Sequence, residues 1–340
     1  MERPLVSICI PTYKRPNELK VALGSIDTKY AQDIEICISE NCSPLQKETR
    51  EVVTEYTSTS KYKVRYREQP ENVGYDKNIR TTVDFAQGEF VVFLSDDDVF
   101  IPGALDPYID FIRSHQECGY ILRSYRNNYQ DGSHQDFRYY ADEKIFPASD
   151  DTYVKMFDKS IFISGFTIKR DMANQFQTDV FDSSLLYQLY IFAEVCRIAP
   201  AANCNILITQ SYEGGTPFFG ESKVEKKLYE SGKRSANNSL NFLEWYMKVI
   251  DYMAEKYHNN TNKVIRHNMS KYSYPTIAEE KRRNSGYKAF RDYCRALKKM
   301  GLADSVYFYV YYYALLIFGV KFCDKTIQFL KRIIGHRPQL

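Results

Sequence analysis

Apolar and polar positions fall into short blocks along the first two thirds of the chain. Residues 5–10 are an apolar run stopped by Pro11 and Thr12, and Leu19, Ala22, Leu23 and Ile26 then recur at helical spacing. This predicts a buried strand followed by an amphipathic helix that Pro16 or Asn17 starts. The pair repeats: a strand over 34–38, then a helix carrying Leu45, Val52, Val53 and Tyr56. A short strand at 64–67 precedes a helix with Ile79, Val83 and Ala86 on its buried side, closed by Gly88, and residues 90–94 form a fourth strand. Farther on, the pattern predicts a helix from Pro102 to His115, strands at 120–122, 161–168 and 205–208, and a helix from Ser183 to Cys196. The polar, Tyr-rich stretch 127–150 reads as loop or edge hairpin, and 213–217 as a mobile loop. From Glu221 onward the pattern changes to long helical segments rich in Lys and Arg.

Strands alternating with helices at this spacing imply right-handed βαβ crossovers and an α/β fold around a mostly parallel, Rossmann-like sheet. The turns that follow the strands then converge on one sheet edge, where open α/β folds bind ligands. On that edge residues 90–94, five apolar positions, run straight into Asp96, Asp97 and Asp98. Adjacent carboxylates at a strand tip repel one another, and a hard divalent cation such as Mg2+ or Mn2+ is the usual relief.

Composition narrows the picture. Hydrophobic residues at 44% and charged ones at 26% describe a folded chain, not a disordered one. The eight cysteines have no C-x-x-C pair or zinc-ligand spacing, which argues against a zinc site and fits a reducing cytoplasm. No charged-then-apolar leader precedes the first strand, so no secretory signal is expected. Net charge is only +3, yet residues 1–220 carry 23 Lys+Arg against 32 Asp+Glu, whereas 221–340 carry 23 against 11. An acidic half suited to a metal thus precedes a basic half suited to an anionic surface, with the domain boundary expected near 220.

The motifs Val6-Ser7-Ile8-Cys9-Ile10-Pro11-Thr12-Tyr13-Lys14-Arg15, Ile34 to Asn41, Asn72-Val73-Gly74 and Phe93-Leu94-Ser95-Asp96-Asp97-Asp98, with Pro102-Gly103-Ala104-Leu105, resemble the family 2 glycosyltransferases of GT-A fold. Gly74-Tyr75-Asp76-Lys77-Asn78 with the triple Asp looks most like their abequosyltransferase-like bacterial branch. The resemblance covers 4–110, loosens to 215 and is absent beyond. It implies a nucleoside-binding turn at Pro11, Thr12 and Tyr13, with Glu40 or Asn41 reading the base edge. Asp76 and Lys77 would line the nucleotide cleft, with Asp96 on the ribose. Many relatives read Leu-Asp-x-Asp-Asp where this chain has Ser95 in the place of the first Asp, so the diphosphate metal falls to Asp98 or to Asp97. An inverting transfer also needs a carboxylate base. Asp182 is the first candidate and Asp179 the second.

The implied activity moves a sugar from a nucleoside diphosphate, uridine diphosphate being the first expectation, onto a lipid-linked cell-surface glycan. The C-terminal half adds its own pointer. Residues 306–320 are fifteen aromatic and aliphatic positions, reaching roughly 22 Å as a helix and so short of the ~30 Å hydrocarbon core. Lys321, Lys325, Lys331, Arg332 and Arg337 follow. Beside a buried core helix, this pattern suits a helix lying in an anionic membrane surface, and 306–340 is the expected segment. The enzyme would then sit peripherally on the cytoplasmic face. A sugar-activating nucleotidyltransferase is disfavoured because Pro11-Thr12-Tyr13-Lys14-Arg15-Pro16 lacks the Gly-rich loop expected after its first strand. Nucleic-acid binding is disfavoured because the late aromatics are bunched, not interleaved with charge. No oligomeric state follows from the residues.

Overall fold

The computed structural model describes residues 3–283 and 286–334. Arg337 and the side chains of Lys331 and Arg332, part of the basic set above, lie outside the description. Contacts divide the chain into two compact units, Met1–Lys233 and Arg234–Leu340.

In the first unit ten strands form one sheet among the described residues: β1 Val6–Thr12, β2 Ile34–Glu40, β3 Lys63–Glu68, β4 Phe90–Phe93, β5 Val99–Phe100, β6 Tyr120–Asn128, β7 His134–Phe137, β8 Lys144–Phe146, β9 Phe166–Lys169 and β10 Ala201–Tyr212. Their order is β3-β2-β1-β4-β9-β6-β10-β5, with β7 on β6 and β8 on β10. Helices α1 Pro16–Gly24, α2 Gln46–Thr59 and α3 Tyr75–Phe85 supply the crossovers among the first four strands. These strands are parallel throughout, as the alternating pattern predicts. Val6 lies opposite both Ile34 and Phe90, and Thr12 opposite Glu40, so the strand tips share one edge. Gly88 follows α3 where a Cβ would stand 2.5 Å from the Ser7 backbone nitrogen, so only glycine lets the chain pass into β4 there.

Beyond β4 the sheet is mixed. β9 runs antiparallel to β4 and β6, while β10 is parallel to β6. Helices α4 Leu105–Ser114, α5 Asp150–Met156, α6 Arg170–Gln175 and α7 Tyr187–Ile198 complete the unit. Two expectations are corrected here, and a third, the edge hairpin, is met. Only Phe166–Lys169 of the strand expected over 161–168 is strand, because 163–165 form a 3-10 turn in which Ser164 turns its hydroxyl to the acidic triplet. Residues 127–150 hold a hairpin from β6 to β7, then β8. The helix expected from Ser183 starts at Tyr187, since Ser183 (φ 73°) and Leu185 (φ 64°) take left-handed backbone that no α-helix accommodates.

Residues 221–233 contain no helix and belong to the first unit. The second unit is helical among the described residues: α8 Ala236–Lys256, α9 Thr261–Lys271, α10 Tyr274–Arg283, α11 Tyr287–Lys299, α12 Val306–Ile317 and α13 Gly319–Ile334. Phe290, Tyr293, Cys294 and Leu297 form the buried side of α11, whereas Tyr287 is exposed. The helix expected over 306–320 breaks at Phe318, where Gly319 (φ 73°) restarts the chain in a new direction. α12 packs against α9 and α10, with Phe308 and Leu315 as its buried side chains and Tyr311 edge-on to Tyr274 of α10. Val306, Val310, Tyr313 and Ile317, spaced along its opposite side, are exposed, as are Phe318, Phe322 and Phe329. Among the described residues no helix is long and apolar enough to cross a membrane. The eight cysteines are free thiols, and all but Cys42 are buried.

Candidate active site

The site forms where the tips of β1 and β4 meet. Phe90, Val91, Val92, Phe93 and Leu94 are all buried, so the chain leaves the core directly at Ser95 and delivers three carboxylates to the sheet edge. Asp96 is held from below by β1: Oδ2 accepts from the Thr12 hydroxyl at 2.9 Å and from the Tyr13 amide at 3.1 Å. Asp97 accepts the Ser95 hydroxyl at 2.6 Å, and Asp98 accepts the Ser164 hydroxyl at 2.6 Å. Arg15 bridges the first two acids, with Nη1 at 2.8 Å from Asp96 and 2.9 Å from Asp97. Burial pushes Asp96 up to about 6, against the pull of Arg15. Burial, with the Asp97 charge added, also pushes Asp98 well above the usual carboxylate range. Behind the triplet, buried Arg123 of β6 donates to the Phe93 carbonyl.

Among the described residues no group of three or more His, Cys, Asp and Glu side chains is arranged as a ready cation cage. The donor set nevertheless fits Mg2+ or Mn2+. Such ions commonly take one or two protein carboxylates and complete their shell with phosphate and water. Asp97 is the most open of the three, with its side chain about a third exposed at 31%, and Asp98 is buried.

The segment after β10 crosses this edge. Arg15 Nη2 donates to the Thr216 carbonyl at 2.7 Å, and a Cβ on Gly215 would sit 3.2 Å from Asp97 Oδ2. Phe218 lies under the cations of Lys14 and Arg15. Glu221 accepts from the Tyr13 hydroxyl at 2.8 Å and from Lys14 Nζ at 2.5 Å. Burial opposes its charge, but Lys14, Ser231 and Tyr13 hold its carboxyl below the usual range. Glu225 accepts from the Tyr75 amide at 2.6 Å and the Gly220 amide at 3.0 Å.

The remaining predicted residues divide into two groups. Pro11, Thr12, Tyr13, Glu40, Asn41, Asp96, Asp97 and Asp98 lie at the tips of β1, β2 and β4. Glu40 is fully buried, its oxygens accepting from the Ser43 amide and the Gln46 side chain, and it therefore shapes the second turn from inside. Asn41 bonds Asn72 and the Val73 amide, joining that turn to the start of α3. Asp76 and Lys77 belong instead with Asp182. Asp76 is buried and accepts backbone amides of the loop before α7, and exposed Lys77 adds its charge to the field at Asp182. Asp182 pairs with Arg80 at 2.7 Å, while its other oxygen is buried with no hydrogen-bond partner among the described residues. It stands in a turn five positions before the first residue of α7, not directly ahead of the helix as the expected start at Ser183 would have it. Asp179 is exposed.

Arg15, Arg80, Ser164, Glu221 and Glu225 were not foreseen. Arg15 had a signal, its place in the first motif within reach of the triplet; the others depend on long-range packing that no local spacing encodes.

Comparison with known proteins agrees with the fold. The family described as glycosyl transferase family 2 matches residues 7–176. Abequosyltransferase RfbV of Salmonella typhimurium is 32% identical over 133 residues, which is 36% of this chain and 39% of that protein. The GalNAc(5)-diNAcBac-PP-undecaprenol beta-1,3-glucosyltransferase of Campylobacter jejuni is 33% identical over 102 residues, 30% of this chain and 32% of that protein. These matches therefore span about two fifths or less of the relatives' lengths. Among solved structures, S. aureus TarS 1–349 in complex with UDP-GlcNAc superposes with a TM-score of 0.61 at 14% identity, covering 87% of this chain and 80% of that one. The same fragment with UDP gives 0.52 at 13% identity, covering 95% and 91%. At such identity the likeness establishes the fold, which is the GT-A type. Asp179 and Asp182 lie just beyond the stretch the family matches.

Proposed function

The chain belongs to glycosyl transferase family 2, and on that premise we propose that it is a metal-dependent inverting enzyme. It moves a sugar from a nucleoside diphosphate, UDP first, onto a lipid-linked cell-surface glycan. The observation that carries this reading is the joining of two strand tips by Thr12, Tyr13, Arg15 and Asp96. A nucleoside seated on the β1 turn has its diphosphate directed at the β4 carboxylates. Asp98, or Asp97, would hold Mg2+ or Mn2+, which neutralises charge on the departing diphosphate.

The protein's own groups divide the remaining work. Thr12 and the Tyr13 amide hold Asp96 in one rotamer, ready for the ribose. Arg15, already paired with Asp96 and Asp97, keeps a cation beside the place where phosphate charge arrives. Asp182 takes the proton of the acceptor hydroxyl as that oxygen attacks the anomeric carbon, in one displacement without a covalent intermediate. Its unpartnered buried oxygen supports this role. Burial raises its pKa despite Arg80, which favours proton capture near neutrality.

A lipid-linked acceptor is supported by the Campylobacter relative, whose name specifies an undecaprenol-linked substrate. It is supported also by the exposed stripe Val306, Val310, Tyr313 and Ile317 in the half of the chain with excess Lys and Arg. Peripheral attachment to the cytoplasmic membrane face follows from that reading. A thermal-shift screen of UDP, GDP, dTDP and CDP with and without Mn2+ tests the core of it. One nucleotide should stabilise the protein selectively, and more with the metal. Indifference to all four overturns the reading.

A further inference from the structure

Helix α3 reaches away from the nucleotide edge to grip the loop that carries Asp182. Asp76 Oδ2 accepts the Leu185 amide at 2.9 Å and Oδ1 accepts the Tyr187 amide at 2.9 Å. Its carboxylate thereby caps buried amides at the start of α7 from a different element. One turn farther along α3, on the same face, Arg80 Nη2 donates to Asp182 Oδ2 at 2.7 Å. Between these two anchors the backbone is strained. Ser183 and Leu185 hold φ 73° and 64°, a conformation that non-glycine residues keep only where the surroundings fix it. The surroundings are complete here. Ser184 N donates to the Phe181 carbonyl, Leu186 N to the Ser184 hydroxyl, and Tyr229 donates to the Ser184 carbonyl at 3.2 Å. The outcome is a carboxylate with one oxygen fixed by Arg80 and the other buried with no hydrogen-bond partner among the described residues.

We propose that Asp76 and Arg80 are positioning residues that set the orientation of Asp182, so that the helix beside the nucleotide edge also builds the loop of the base. This rests on the reading of Asp182 as the base, and it reassigns Asp76 from contact with the nucleotide to control of the acceptor side. The pairing is a division of labour along one helix face. Asp76 fixes the loop's backbone and Arg80 fixes the side chain.

The experiment compares full-length Asp182→Asn, Asp76→Asn, Arg80→Gln and the doubles Asp76→Asn/Asp182→Asn and Arg80→Gln/Asp182→Asn. Turnover is release of nucleoside diphosphate from a panel of UDP-, GDP-, dTDP- and CDP-sugars, and binding is calorimetry with the matching nucleoside diphosphate and Mn2+. Each single positioning variant should lower kcat by about tenfold or more and leave the nucleotide Kd within about twofold, and each double should fall no further than Asp182→Asn alone. Hydrogen exchange across 181–190 should rise in Asp76→Asn, where amide contacts are lost. Weakened nucleotide binding with unchanged kcat in Asp76→Asn, or losses in the doubles that add in full to that of Asp182→Asn, overturn the proposal. Should Asp76→Asn fail to fold, the Arg80→Gln pair decides by the same criterion. Near-normal turnover of Asp182→Asn is a different result, since it rejects the base assignment itself.

Discussion

Arg15 and Asp96 form an ion pair of 2.8 Å at the mouth of the site, with the arginine side chain 16% exposed and the aspartate 5%. The pair brings a cation into a cluster that would otherwise hold three acids. Removing one partner of such a pair leaves the other charge poorly solvated.

Arg15→Gln should therefore melt at a lower temperature than the parent, by several degrees. It should also gain more from added Mn2+, because the metal takes over the lost counter-charge. Thermal unfolding across a Mn2+ titration, parent beside variant, measures both effects. An identical response to the metal in the two proteins means that Arg15 and the ion do not share a role.

Asp98→Asn should abolish the metal-dependent part of UDP binding while leaving the metal-independent part in place. Asp97→Asn provides the comparison, since Asp97 is the more open side chain. Calorimetry of UDP with and without Mn2+ separates the two assignments. If the Asp97 variant alone loses the metal effect, the ligand is Asp97.

Stability should depend on pH in an unusual direction. Burial pushes Asp96 up to about 6 and Asp76 up to about 7, and Asp98 is raised as well. Between roughly pH 5.5 and 7.5 the folded state therefore binds protons that the unfolded chain has already released. Stability contributed by these groups is largest on the acidic side and is lost as pH rises through 6 and 7. Without metal or nucleotide the melting temperature should fall over that window. A rising melting temperature contradicts the burial of these carboxylates.

Vesicle binding should be lost by point changes that spare the helical core. Val310→Glu and Ile317→Glu alter exposed positions of α12, whereas Phe308 and Leu315 on its opposite side are buried and stay unchanged. Co-sedimentation with anionic vesicles across a salt series should show the parent bound at low salt and the double variant free, with unchanged circular dichroism. A parent that never sediments makes α12 a structural helix only.

Much of this was legible from local pattern. The parallel half of the sheet, the buried β4 and the acidic tip follow from short apolar runs alternating with helix-spaced ones, although β4 pairs with β1 and not with β3 before it. The second half of the sheet was harder, because β9 inserts between β4 and β6 from far along the chain and runs antiparallel to both. The same distance hid Glu221 and Glu225. Their contacts with Tyr13, Lys14 and Tyr75 carry the first unit past the change of composition at 221, to Lys233. Asp76 was visible as a residue of interest, but its partners, Leu185 and Tyr187, are backbone amides that no motif records.

The distribution of thiols has a practical side. Seven of the eight cysteines are buried, and Cys42 alone is partly open, next to Glu40 and Asn41 on the turn expected to meet the base. A maleimide applied to the folded protein should therefore react first and mainly there. A fluorophore at Cys42 reports nucleotide arrival without any engineered residue, and protection of that thiol by each nucleoside diphosphate in turn ranks the donors by a rate, independently of turnover.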